Sequence, residues 1–255
     1  MGVSGWGVTG IITMLIAVGM AFICLISPAW FTNTGLSVQH LTVIQHADTN
    51  IGLTGMCFDV QFKNDTQNLG FAGCYPFYGG DGGDYSYIGH TSTPSFQQHK
   101  SNLGICSYYH ANEVGNKASK ELSVMTGMAW IDLDFFVQST CGSLGKASIA
   151  MAVLFLVLTF ASLVTLIFVV FCCKNHLWLI TFSRVCSTLA AISSVVLAFC
   201  VMSQVKGIKS AGDGVDVRYG FCFYFEWVGL VLTIFGAWCI EKHTLSQKTQ
   251  KVDLI

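Results

Sequence analysis

A bundle of four membrane-spanning helices capped by a small, disulfide-stapled antiparallel β-sheet is the architecture this 255-residue sequence predicts. Three observations carry that expectation. Hydrophobic residues make up 53% of the chain and charged residues only 11%, less than half of the roughly 25–35% that covers a soluble surface. The charges avoid four segments, each about as long as a helix must be to cross ~30 Å of hydrocarbon. Four cysteines fall within the one long polar stretch. With 13 basic and 14 acidic residues the formal net charge is -1, so there is no basic footprint for nucleic acid, and the apolar content excludes a disordered chain.

The first span is placed at 5–30. Its centre, Ile11–Ile26, is apolar, it stops at Ser27-Pro28, and the first charged side chain in the sequence is Asp48. No Lys or Arg precedes Lys63, so the basic region of a cleaved signal peptide is missing and a retained helix is expected. The second span, 147–173, is the 27-residue uncharged run between Lys146 and Lys174. The third, 177–205, includes the 21 uncharged residues between Arg184 and Lys206. The fourth, 219–240, carries one charge, Glu226. This leaves a first loop at 31–146, a short turn at 174–176, a second loop at 206–218 and a tail at 241–255.

Counting Lys and Arg near the span ends gives five on one side (Lys174, Arg184, Lys242, Lys248, Lys251) and four on the other (Lys146, Lys206, Lys209, Arg218), which does not set orientation. Two other features do. Asn64-Asp65-Thr66 is an N-glycosylation acceptor, and the long loop holds Cys57, Cys74, Cys106 and Cys141, an even number suited to an oxidising compartment. The long loop is therefore expected outside a plasma-membrane protein whose termini are both cytosolic.

Within the loop, Leu36–Gln45 is rich in β-branched residues. Met56, Phe58, Val60 and Phe62 alternate with Cys57, Asp59, Gln61 and Lys63, the period of a half-buried strand. Asn64–Gly70 reads as a turn, Phe71–Phe77 as the returning strand and Gly104–His110 as a further strand-like stretch. Four cysteines allow three pairings; Cys57–Cys74, which would close a hairpin, together with Cys106–Cys141 is preferred. A small sheet with little core of its own needs such staples.

From Trp30 onward the residues resemble a superfamily comprising claudins, peripheral myelin protein and its relatives, and the stargazin-like channel subunits. Pro28-Ala29-Trp30 directly follows the first span, and Gly52-Leu53-Thr54-Gly55-Met56-Cys57 precedes a second cysteine, Cys74. This is similar to the family pattern of a Trp after the first helix, then Gly-Leu-Trp-x-x-Cys and another Cys. Thr54 stands where that pattern has its second Trp. The first loop is longer than a claudin's and holds an extra cysteine pair, which looks more like the stargazin-like or other divergent members. The resemblance implies a left-handed four-helix bundle under a small antiparallel sheet. It also implies that Trp30, Gly52 and Leu53 pack the sheet onto the membrane surface and that Cys57 and Cys74 staple two strands. A tetraspanin would place its long loop between the third and fourth spans and carry Cys-Cys-Gly, which does not occur here.

Other candidate chemistry is sparse. There is no Gly-x-Ser-x-Gly, His-Glu-x-x-His or phosphate-binding loop, so an enzyme is not expected, nor a cofactor. His40, His46, His90, His99 and His110 lack the short spacing of metal ligands. Gly79–Asp84 matches the opening of one calcium-binding nonapeptide but without the repeats that complete such a site, so a glycine turn is preferred. Residues 31–145 hold nine acids and four bases, a formal charge of -5. Asp59 is the carboxylate proposed to favour cations in a paracellular pore, against the reading of an ordinary solvated face. Glu226 is an intramembrane charge, read as a structural ion pair or snorkelling group with Lys146, Lys206 or Arg218 within reach, and less readily as part of an ion pathway. Cys172 and Cys173 are candidate palmitoylation sites, and Asp253-Leu254-Ile255 is a candidate PDZ ligand.

The function implied by the resemblance is that of a claudin-like protein of cell–cell junctions, acting in adhesion or as a paracellular barrier or pore. The alternative is a stargazin-like auxiliary subunit altering gating or trafficking of a channel or receptor. A membrane-organising protein with neither role is the third class. The implied partners are membrane lipid, same-family proteins in cis and trans or an ion channel or receptor, and a PDZ scaffold, but no nucleic acid.

Overall fold

The computed structural model describes residues 5–33, 44–62, 70–79, 104–111, 119–120, 122–123, 130–172, 177–210 and 217–252. In chain order the elements are α1 (Gly5–Ile26), β1 (Phe31–Asn33), β2 (Ile44–Ile51), β3 (Gly55–Phe62), β4 (Gly70–Pro76), α2 (Ile105–Ala111), α3 (Trp130–Cys141), α4 (Ser143–Ile167), α5 (Leu177–Ser210), β5 (Val217–Tyr219) and α6 (Phe221–Val252). A π-helical turn, Phe168–Cys172, extends α4. Helical stretches Gly5–Ile26, Ser143–Phe171, Trp178–Lys206 and Phe221–Leu245 are each long and apolar enough to cross a membrane. The residues fall into two compact units.

The first unit, Met1–Leu25, Ala150–Ala198 and Tyr224–Ile255, is helical. Its core draws on all four long helices: Met14, Leu163, Leu166, Val169, Val170, Ile180 and Ile240 are buried together. On α1 the buried positions Gly7, Gly10, Met14, Ala17, Ala21 and Cys24 advance by alternating threes and fours, a seam of mostly small residues that lets neighbouring backbones approach. Gly10 shows why the seam is small: a Cβ there would lie 3.2 Å from Leu166 and 3.3 Å from Cys239. The opposite faces are inverted relative to a soluble protein. Leu15, Val157, Ile192 and Val231 all lie more than half exposed.

The second unit, Ile26–Ile149 and Phe199–Phe223, is built on one five-stranded antiparallel sheet ordered β4-β3-β2-β1-β5. Its inner face buries Phe31, Ile51, Met56, Phe58 and Tyr75. Phe31 packs on Tyr219, which stacks on Phe223 at 4.1 Å between ring centroids. Phe77, just beyond β4, meets Phe136 of α3.

Several element bounds differ from those expected. Gly104–His110 is not a strand but contains α2: the aromatic residues favour β structure locally, yet the first helical turn is capped from outside, Cys106 N–H donating to the Phe77 carbonyl at 3.0 Å. The second polar strand lies at Ile44–Ile51, while Leu36–Val43 lies outside the described residues; its HADTN core enters the sheet because both neighbours supply a ladder, overriding weak β propensity. The first loop is not purely β, since α2 and α3 lie within it. Helix α4 begins at Ser143 rather than 147, α5 runs on to Ser210 rather than 205, and α6 covers Phe221–Val252 rather than 219–240. Lys146, Lys206 and Glu241 interrupt the apolar runs but not the helices, because an exposed charge on a helix face does not end a helix. Tyr219 belongs to β5, so the second loop contributes a strand.

Candidate functional site

The period-2 pattern of β3 separates the two faces of the sheet. Met56 and Phe58 are buried, whereas Asp59 is exposed and Cys57 half-exposed. Register extends this face across all five strands: Arg218, Thr32, Asn50, Cys57 and Cys74 stand opposite one another in a row. The next row places Asp48 directly opposite Asp59. Both carboxylates belong to the face opposite Met56 and Phe58. This is the face on which Asp59, the candidate for ion selection, sits.

Cys57 and Cys74 are joined by a disulfide across the β3–β4 ladder. Cys106 and Cys141 are joined between α2 and α3. Trp30 is fully buried, and its backbone is bound on both sides: its N–H donates to the Ile51 carbonyl at 3.0 Å and its carbonyl accepts from Gly220 N–H at 2.8 Å. Trp30, which directly precedes β1, is thereby fastened to β2 and to Gly220, just before α6. Gly52 opens the β2–β3 turn, its N–H donating to the Gly55 carbonyl at 2.8 Å. A Cβ at Gly52 would lie 2.7 Å from Pro28 Cα and 2.8 Å from the Ser27 carbonyl oxygen, so only glycine fits against this backbone. Leu53 is buried and Thr54 exposed.

Helices α2 and α3 are held by polar contacts as well as by their disulfide. The Ser119 hydroxyl donates to Asp134 at 2.6 Å. Burial, then the charge and hydrogen bond of Asp134, push the Tyr109 hydroxyl above its usual range. Burial also raises that of Tyr78, which donates to the Thr140 carbonyl. That carbonyl sits where α3 breaks into α4: a Cβ at Gly145 would lie 1.8 Å from it, so a side chain has no room there. The outward face of α3 exposes Trp130, Ile131 and Phe135, with the Lys120 ammonium 5.3 Å from the Trp130 ring centre.

Within the helices the buried polar groups are specific. In the first unit the Ser162 hydroxyl lies 2.9 Å from that of Ser183 and 2.8 Å from that of Ser187, joining α4 to α5. Glu226 and His243 are both buried. In the second unit Gln204 Nε2 donates to the Ser148 hydroxyl at 2.7 Å. Glu226 belongs to the first unit, whereas Lys146, Lys206 and Arg218 belong to the second and are exposed.

Asn64, Cys173, Gly80–Asp84 and Asp253-Leu254-Ile255 lie outside the described residues, as do His40, His90 and His99; Cys172 is within the π-helical turn. Among the described residues no group of three or more His, Cys, Asp or Glu is placed to hold a metal ion. Sequence reasoning missed the Ser162–Ser183–Ser187 cluster, whose signal was two serines four apart on one face of the third span, and the seam glycines Gly7 and Gly10. No protein-family model matches the chain, and no curated protein is significantly similar to it in sequence.

Proposed function

We propose that the chain is a four-span plasma-membrane protein of the claudin-like kind, working at cell–cell contacts in adhesion or in a paracellular barrier or pore. The observation that carries the membrane part is the exposed apolar surface on all four long helices. Spacing supports it. Arg184 of α5 pairs with Glu241 of α6 at 4.0 Å, and the next charge along α5, Lys206, is 22 residues on, about 33 Å, close to a hydrocarbon thickness. Glu226 is 15 residues from Glu241, about 22 Å, which puts a buried carboxylate in the outer part of the membrane as a structural group of the bundle.

What supports the junctional part is the sheet: a disulfide-stapled body with Asp48 and Asp59 on one face, fed by both loops that connect the spans on one side. The resemblance assigns Trp30, Gly52 and Leu53 to packing the sheet on the membrane surface, and in this reading they keep that role. In this reading the termini are cytosolic, Asn64 is glycosylated, Cys172 and Cys173 are acylated, and the terminal Asp253-Leu254-Ile255 engages a PDZ scaffold. The exposed apolar face of α3 favours a second reading, a subunit that clasps a larger channel or receptor through its long first loop.

Expression of a tagged chain in polarised epithelial cells separates them. Concentration at cell–cell contacts with altered transepithelial resistance supports the junctional role; uniform surface distribution with one channel co-purifying stoichiometrically supports the subunit role and overturns the first. Within the junctional reading, Asp59→Asn is expected to lower the Na⁺/Cl⁻ permeability ratio; an unchanged ratio removes Asp59 from the pore.

A further inference from the structure

We propose that the face of α6 centred on Lys242 binds the headgroup of an acidic phospholipid in the cytosolic leaflet, an inference that rests on the membrane-spanning reading above. Val231, Phe235, Trp238, Lys242 and Leu245 recur at steps of four, three, four and three, so they share one stripe of the helix. The stripe is open: Val231 is 63% exposed, Trp238 41% and Leu245 49%. It is apolar throughout except at Lys242. The Lys242 ammonium lies 5.5 Å from the centre of the Trp238 ring, and Trp238 is in turn met edge-on by Trp6 of α1 at 5.2 Å. Aromatic packing therefore forms a floor with one cation at its end.

A phospholipid presents the complement of this arrangement, an anionic phosphate joined to long acyl chains. The chains would run along Val231 and Phe235 while the phosphate meets Lys242, at the depth where Trp rings settle between hydrocarbon and water. The neighbouring carboxylate does not compete for the cation, because Glu241 is one residue round the helix and pairs with Arg184. The wider charge supports the choice of an acidic lipid. In the sequence, Lys174, Arg184, Lys242, Lys248 and Lys251 border the spans on this side against Glu241 and Asp253, an excess that an anionic leaflet attracts. A neutral lipid or a second copy of the chain would use the apolar stripe but would leave Lys242 without an anion.

The test uses the full chain reconstituted in nanodiscs of phosphatidylcholine, with or without phosphatidylserine, and counts retained lipid by native mass spectrometry. Wild type is expected to retain phosphatidylserine preferentially. Lys242→Gln should reduce that retention about five-fold while leaving the unfolding temperature in phosphatidylcholine discs unchanged, and Lys242→Arg should preserve it. Lys206→Gln, at the other end of its span, should have no effect. Equal retention by wild type and Lys242→Gln, or an equal loss in Lys206→Gln, overturns the site. Stabilisation of the chain in phosphatidylcholine discs by soluble glycerol phosphate would assign the site to a free phosphate instead of lipid. Failure of the chain to enter discs at all would overturn the membrane reading itself, a result separate from any lipid preference.

Discussion

Replacing Gly52 by alanine adds one methyl group to a turn that has no room for it. Its Cβ would be 2.7 Å from Pro28 Cα, 2.8 Å from the Ser27 carbonyl oxygen and 3.3 Å from the Gly55 carbonyl oxygen. Ordinary carbon contacts sit at about 3.5–4.0 Å, so the two closest overlap by roughly 1 Å. All three atoms belong to backbone. No side chain can swing aside, and relief requires moving the Ser27-Pro28 backbone away from the β2–β3 turn. That movement would strain the hydrogen bond from Trp30 N–H to the Ile51 carbonyl, one residue from Gly52. Overpacking of this kind costs about 2–3 kcal/mol, which in a chain of this size lowers the unfolding midpoint by roughly 5–10 °C.

Two other glycines calibrate the experiment. At Gly236 the obstruction is the flexible side chain of Met14, 2.9–3.1 Å away, which can adjust, so Gly236→Ala should cost less. At Gly229 the nearest atoms are those of the Phe155 ring at 3.6 Å, an ordinary contact, and alanine gains helix propensity, so Gly229→Ala should be neutral or slightly stabilising. Thermal unfolding of the three purified variants in one detergent, followed by tryptophan fluorescence, gives the ranking. Gly52→Ala melting with or above Gly229→Ala would refute the close-approach argument and leave Gly52 as a turn residue without steric constraint.

Opening Cys57–Cys74 by a double Ser substitution frees a 17-residue separation and should cost about 3 kcal/mol, against about 4 for Cys106–Cys141 at 35 residues; protease resistance and surface delivery in cells report both. Ser162→Ala removes the hub of the buried hydroxyl cluster and should cost about 1–2 kcal/mol in detergent, more than Ser187→Ala, since Ser162 bonds to both partners. The Tyr109 hydroxyl is raised above its ordinary 10.0, so its contribution is intact below that pH and is lost as pH rises through the folded value. Alkaline unfolding should therefore be less steep in Tyr109→Phe, and an unchanged alkaline limb would count against the contact with Asp134.

The long helices were legible because a run of some twenty apolar residues has one structural solution in hydrocarbon, and β3 because Met56, Phe58 and Asp59 alternate strictly. The rest depended on partners distant in sequence. Asp48 and Asn50 carry no local strand signal, and their place in β2 is set by β1 on one side and β3 on the other. Val217–Tyr219 is a strand only because Phe31–Asn33 pairs with it. Trp130–Cys141 read as the end of a loop because its apolar residues serve two purposes: Leu133, Phe136 and Val137 enter a core while Ile131 and Phe135 remain exposed, which blurs any single hydrophobic face. At the candidate site, the residue types of Trp30, Gly52 and Cys57 were visible, but the row from Arg218 to Cys74 is a property of register and could not be read from any one segment.

That register also bears on how the sheet is joined to the segments that flank it. Strand β1 is three residues long and is flanked by β2 and by β5, the strand that the second loop contributes among the described residues. The Trp30 carbonyl accepts from Gly220, the Ala29 carbonyl accepts from Cys222 N–H at 3.1 Å, and a Cβ at Gly220 would lie 2.2 Å from the Ala29 oxygen. The first turn of α6 is thus locked to the residues that follow α1 by two hydrogen bonds and a contact that excludes any side chain.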